Sequence, residues 1–196
     1  MGTRGALGFY KGGEHKVTYN HFDSYLDGLG NNVLGYVNSK TIEGLNAAFD
    51  NIELINDENE KPTPKQLEKC KEFVDLNVAG QSIDDWYCVL RKAQGNLDAY
   101  AKVGVMIDSR GFLNDSLFCE YAYIINLDDN VLEVYRGFQR NRPEGRYADY
   151  TPERDSRTGQ TPYYAVGLKK IFPLDDCPQE FTEEIIKEIL GEEDDE

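Results

Sequence analysis

The chain has 196 residues, 40% of them hydrophobic, and a formal net charge of −15. That length suits one domain with at most a small appendage, and no apolar run approaches the ~20 residues that span a bilayer. The acidic balance argues against direct nucleic-acid binding, since phosphates would be repelled. Met1 to Gly5 lead into no stretch of signal-peptide character, so a cytoplasmic protein without membrane association is expected. The charge is uneven: residues 180–196 hold nine acidic groups and one Lys and carry −8, leaving −7 on everything before them. Such a tail reads first as solvating, with nucleic-acid mimicry as the sharper alternative.

Taken in order, Gly5 to Tyr10 reads as a buried strand, Lys11-Gly12-Gly13-Glu14 as a hairpin turn and His15 to Phe22 as the returning strand. Alternation puts Val17, Tyr19 and His21 on one face of that strand and Thr18, Asn20 and Phe22 on the other. Asp23 to Gly30 holds too many turn formers to continue it. A helix is predicted from Asn31 or Asn32, and a second over about Ser39–Asp50, where Ile42, Leu45, Ala48 and Phe49 share a face. Asn56 to Lys61 is a polar loop. Thr63-Pro64 opens another helix, striped by Leu67, Cys70, Phe73 and Val74.

Ser82 with Asp85 resembles a capping box ahead of Trp86, and Gly95-Asn96 marks a break before a short helix from Leu97. Phe118–Leu127 and Val131–Phe138 are predicted strands joined at Asp128-Asp129-Asn130, with Cys119, Tyr121, Tyr123 and Ile125 on one face of the first. Tyr163–Phe172 is a further strand. Pro178–Leu190 is a final amphipathic helix, apolar at Phe181, Ile185, Ile186 and Ile189 and stopped by Gly191. The order predicts an α+β fold, a mostly antiparallel sheet covered by helices, in one domain over residues 1–191 with a disordered acidic tail at 192–196.

Cys70, Cys88, Cys119 and Cys177 sit in apolar patterns and read as reduced, buried thiols. Two histidines leave little for a Cys/His metal site, and neither glycine-rich nucleotide motif is present, so no cofactor or metal is expected.

Two constellations carry candidate chemistry. Tyr19-Asn20-His21-Phe22-Asp23-Ser24-Tyr25 is the densest run of hydrogen-bonding side chains, placed where a strand gives way to a glycine-rich turn. His21 is the better proton carrier of the two histidines, with Asp23 or Ser24 to orient or receive, and Tyr19, Asn20 and Tyr25 as ligand contacts. Capping and packing are the plain account of the same residues, and three such groups so close in sequence cannot form a triad. The second constellation is Arg136, Arg140, Arg142, Arg146, Arg154 and Arg157, six of the nine arginines, in a long segment between strands. Arginine forks suit phosphates and carboxylates, although Glu144, Asp149, Glu153 and Asp155 allow local pairing instead. Glu120, entering the third strand, would need Arg4 or Arg136 as partner if buried.

Thr3–Phe9 (Thr-Arg-Gly-Ala-Leu-Gly-Phe), the Tyr-Asn-His-Phe-Asp-Ser-Tyr at 19–25 followed by Gly28-Leu29-Gly30, and Asp115–Tyr123 (Asp-Ser-Leu-Phe-Cys-Glu-Tyr-Ala-Tyr) resemble a family of bacterial and phage proteins over about two-thirds of the chain. Leu26 stands where that family usually has Pro, so the turn after Tyr25 is expected to be looser. The resemblance implies a free-standing cytoplasmic protein and carries over no activity or functional residue. The element order is also similar to that of N-terminal-nucleophile hydrolases, but their chemistry needs the nucleophile as residue one, and Thr3 lies behind Gly2.

Three functional readings follow. The first is a domain that binds or hydrolyses a small anionic, nucleotide-like ligand, with Arg4, Glu120, Arg136, Arg140 and Arg142 joining the Tyr19–Tyr25 turn in one site. The second is an interaction protein that captures a host factor through its acidic tail or tyrosine-rich surface. The third is an N-terminal-nucleophile hydrolase. A phosphorylated small molecule or a host protein is the expected partner, and the sequence is compatible with a monomer or a homodimer.

Overall fold

The computed structural model describes residues 2–152 and 162–191. Glu153, Arg154, Asp155, Arg157 and the expected disordered tail at 192–196 lie outside the described residues.

The chain opens with β1 (Gly5–Lys11) and β2 (Glu14–Asn20), paired antiparallel around Gly12 and Gly13 at φ 59° and 83°. Two consecutive left-handed residues match the twist of the hairpin, which is why the glycine pair stands there. A single π-helical turn at Leu26–Gly30 feeds α1 (Asn31–Asn38), then come α2 (Ile42–Asn51), β3 (Glu53–Ile55), α3 (Pro64–Cys70), α4 (Trp86–Val89), α5 (Leu97–Val103) and β4 (Val105–Ile107). The second half supplies β5 (Tyr121–Asn126), β6 (Val131–Arg136), β7 (Gly167–Pro173) and α6 (Glu183–Leu190). The main sheet has the order β2-β1-β5-β6-β7 and is antiparallel except where β1 runs parallel to β5; β3 and β4 form a separate parallel pair. The fold is therefore α+β, a mostly antiparallel sheet with helices packed on it.

Strand β5 is buried at every position because both faces of the sheet are covered. Leu7, Phe9, Tyr123, Ile125, Leu132 and Val134 meet the helices on one face. Ala6, Val17, Ala122, Ile124 and Tyr135 meet irregular segments around Leu113, Tyr147 and Val166 on the other. Cys119 belongs to the second group, not with Tyr121 and Tyr123 as alternation predicts, because the strand begins two residues after it. Among the described residues no second large sheet faces the first, so the likeness in element order to N-terminal-nucleophile hydrolases gains no support.

Local signals explain most boundaries. Thr63 and Gln66 form a capping box with Pro64 in the first turn of α3. Asp85 rather than Ser82 caps α4: its carboxylate takes the Tyr87 N–H at 2.9 Å, while the Ser82 hydroxyl takes the Asp84 N–H in the preceding turn. The last helix begins at Glu183, capped by the Thr182 side chain, and not at Pro178. Lys16, buried under α2, donates to the carbonyls of Phe49 and Ile52 at 2.7 Å each. Both carbonyls lie at the C-terminus of α2, where that of Phe49 also accepts the Ile52 N–H at 3.3 Å, so the ammonium adds a donor to each and complements the dipole.

All four cysteines are buried and unpaired. Burial pushes the Cys70 and Cys177 thiols up to about 11 and that of Cys119 higher still, which keeps them protonated and unreactive.

Candidate functional site

Sheet register assembles the site. Asn20 faces Gly5, Gly5 faces Tyr121, Tyr121 faces Arg136 and Arg136 faces Gly167, so one row crosses the whole end of the sheet. Residues just beyond that row, including His21, Arg4 and Glu120, are thereby gathered at the same end although Arg4 and Arg136 are 132 residues apart in the chain. A bulkier residue at position 5 would not fit: a Cβ there would lie 2.5 Å from the Tyr121 carbonyl oxygen and 2.7 Å from Ser24 Cβ.

Within the Tyr19–Tyr25 turn the structure separates scaffold from surface. Ser24 is 0% exposed, its Oγ accepts from Asn20 Nδ2 at 2.9 Å, its N–H donates to the Thr3 carbonyl and its carbonyl accepts from the Tyr123 hydroxyl. A hydroxyl so enclosed cannot attack a substrate, so the catalytic assignment of Ser24 is corrected to a structural one. Asn20 is also buried and bonds the Phe22 carbonyl as well, closing the turn. The strand stops at Asn20, and Asp23 takes a left-handed φ of 52°, so alternation does not carry His21 and Asp23 onto a shared face as expected. The exposed Asp23 acts through its backbone carbonyl, which accepts from Leu29 N–H at 2.8 Å inside the π-helical turn. Thr3 is buried beneath this turn, which leaves no open nucleophile at that position.

His21 and Tyr19 remain as the polar pair: the Tyr19 hydroxyl lies 2.6 Å from His21 Nδ1. Burial, then the charges of Arg91 and Arg4, lowers the His21 pKa, favouring a neutral imidazole at pH 7. Burial raises that of Tyr19, against the pull of Arg4.

The arginines divide sharply. Arg4 lies over Phe118 at 4.5 Å, Arg91 over Phe22 at 5.4 Å and Tyr87 at 5.6 Å. Arg136 lies over Tyr121 at 4.3 Å and Phe138 at 4.9 Å, and Arg140 over Tyr163 at 3.9 Å. Among the described residues none of these four forms an ion pair. Phe22, Phe118 and Phe138 are 47%, 42% and 42% exposed, and Tyr25, 46% exposed, adds its ring 6.1 Å from that of Tyr121. Arg142 is different: it sits on the surface, pairs with Asp149 at 2.6 Å and bonds the Ala148 carbonyl, so it braces its own loop.

Glu120, which needs a partner only if buried, is half-buried and forms no ion pair among the described residues. Its Oε1 takes the Arg4 backbone N–H at 3.4 Å, and its backbone carbonyl, not its carboxylate, takes Arg136 Nη1 at 2.9 Å. Among the described residues the buried carboxylate is Glu133, which accepts from Arg146 Nη2 at 2.6 Å, the Tyr135 hydroxyl at 2.7 Å and Asn126 Nδ2 at 2.8 Å. Arg146 is thus spent on the interior.

The Tyr19–Tyr25 turn and the arginine segment are therefore joined in part. Arg4, Tyr19, His21 and Arg91 form one group, and Tyr25, Tyr121, Arg136 and Phe138 the next, linked through residues 118–120. Arg91, Tyr87, Phe22, Phe118 and Phe138 were not singled out as site residues from sequence; the Tyr87/Arg91 spacing of one helical turn was the available signal. No family model, curated protein or solved structure matches the chain.

Proposed function

We propose that the protein binds a small anionic, nucleotide-like ligand at the arginine–aromatic end of its sheet. One observation carries the reading: in a chain of net charge −15, Arg4, Arg91, Arg136 and Arg140 gather at that end with no carboxylate partner among the described residues. Stacking on rings supports each guanidinium plane, and Arg136 and Arg91 each donate one Nη1 N–H within the fold, to the Glu120 carbonyl and to Gln94 Oε1, which leaves their other N–H groups for phosphate or carboxylate oxygens. The exposed Phe118 and Phe138 rings offer planar surface for a base. A covalent route through Ser24 finds no support, because its hydroxyl is enclosed; His21, beside Tyr19, adds a hydrogen-bonding group next to the arginines.

Calorimetric titration with AMP, with adenosine as the uncharged control, tests this. AMP is expected to bind, adenosine much more weakly, and Arg4→Ala and Arg136→Ala each to weaken AMP about tenfold or more, since one charge-assisted hydrogen bond contributes roughly 1.5–3 kcal/mol. Equal affinity for AMP and adenosine would contradict the proposal.

The exposed aromatics favour a second reading, in which the same end captures a protein partner, since aromatic and arginine side chains dominate interface hot spots. A Phe118→Ser/Phe138→Ser protein would then lose partner capture while removal of residues 192–196 would not. The acidic helix itself is a poor test, because Phe181 and Ile189 belong to the core.

A further inference from the structure

A cleft of about 630 Å³ lies along β2 beside the arginine end, between the 56–59 loop, α4 and the segment after β4. Its volume falls within the range of small-ligand sites. Tyr19, Tyr87 and Phe112 contribute rings to its walls, and Asp57, Glu58 and Asp108 contribute carboxylates; no Lys, Arg or His lines it. We infer that this cleft binds an organic cation that carries a planar body.

The acidic side chains have unused capacity. Asp57 gives Oδ1 to the backbone N–H and Nδ2 of Asn59 at 2.9 Å, and Asp108 gives Oδ1 to the Arg110 N–H at 2.9 Å. Among the described residues none of the three carboxylates is ion-paired. No group of three His, Cys, Asp or Glu side chains is placed to hold a metal ion among the described residues, so this charge is spread along the cleft instead of converging on a point. Dispersed negative charge with aromatic walls suits a protonated amine on a flat body, which gains from ring faces and carboxylates at once. The walls are held in place: Trp86, at the back, donates its indole N–H to the Glu60 carbonyl at 2.7 Å, and the Tyr19 and Phe112 rings meet edge to face at 5.0 Å. The inference does not depend on the anion site, whose charged residues do not line the cleft.

Trp86 is the single tryptophan and lines the cleft, so its fluorescence reports occupancy. The probes are tyramine, the uncharged 4-ethylphenol and the anionic 3-(4-hydroxyphenyl)propionate. Tyramine is expected to give a saturable change, with the other two at least tenfold weaker. Glu58→Gln, an exposed and unpaired position where the fold is safe, should weaken tyramine about threefold to fivefold, and Arg142→Ala, in a loop that does not line the cleft, should leave it unchanged. Absence of a saturable response, equal response to all three probes, or unaltered tyramine affinity in Glu58→Gln would overturn the inference.

Discussion

The arginine end and the acidic cleft meet at Tyr19 and Tyr87 and use the same aromatic material, yet they present opposite charges. At the end of the sheet, rings pack against guanidinium groups. In the cleft, rings form walls and carboxylates supply the field. Aromatic side chains therefore set shape in both places, and the sign of the charge is decided by which loops the topology brings alongside. The arginines teach the same lesson within one residue type. Arg146 lies over a ring, at 3.5 Å from Tyr10, as Arg4, Arg91 and Arg136 lie over theirs. Arg146 and Arg142 also pair with carboxylates and hold structure, whereas Arg4, Arg91 and Arg136 form no ion pair among the described residues.

The sharpest way to break that division is Arg146→Ala. Removing it leaves Glu133 buried without its cation, and the protein should lose about 3 kcal/mol or more in urea unfolding while AMP affinity per folded molecule is unchanged. Loss of AMP binding with stability intact would mean that Arg146 belongs to the site. Asn20→Ala comes next, with a loss of roughly 1–3 kcal/mol because the Ser24 hydroxyl and Phe22 carbonyl lose their shared donor. If Asn20→Ala instead abolished binding at full stability, the turn would be a contact and not a support.

The smallest effect concerns pH. His15 is half-buried, its ring nitrogens have no partner among the described residues, and burial with Arg110 and Arg146 lowers its pKa below 6.5, only partly offset by Asp108 and Glu133. The folded state thus favours the neutral ring. That contribution is complete above the unfolded value of 6.5 and is lost as pH falls through the lowered folded one. His15→Phe should flatten this part of the acid limb of the stability curve; an unchanged slope would show that His15 is not its source.

Much of the fold was legible in local signals. The glycine pair fixed the first hairpin, the capping box with Pro64 opened α3, and the apolar run ending at Ile125 marked the central strand. The β3–β4 pair was missed because Glu53-Leu54-Ile55 and Val105-Met106-Ile107 are three-residue apolar runs beside helices, too short for alternation to show. The candidate site was legible residue by residue but not in its geometry. Arg4, Tyr19, His21 and Arg136 were named from sequence, yet only parallel pairing of β1 with β5 brings them to one end, and pairing across so many residues leaves no local pattern. Ser24 was misjudged because a hydroxyl in a polar turn looks the same in sequence whether it points inward or outward. The cleft escaped notice because its liners come from separate segments, each ordinary alone.

The most direct test of the account is a paired titration of wild-type protein and an Arg4→Glu/Arg136→Glu variant with AMP by calorimetry and with tyramine by Trp86 fluorescence. Charge reversal is predicted to weaken AMP by about a hundredfold, close to 2.7 kcal/mol, and not to weaken tyramine. AMP binding that survives the reversal would contradict the assignment of the arginine end as the anion site.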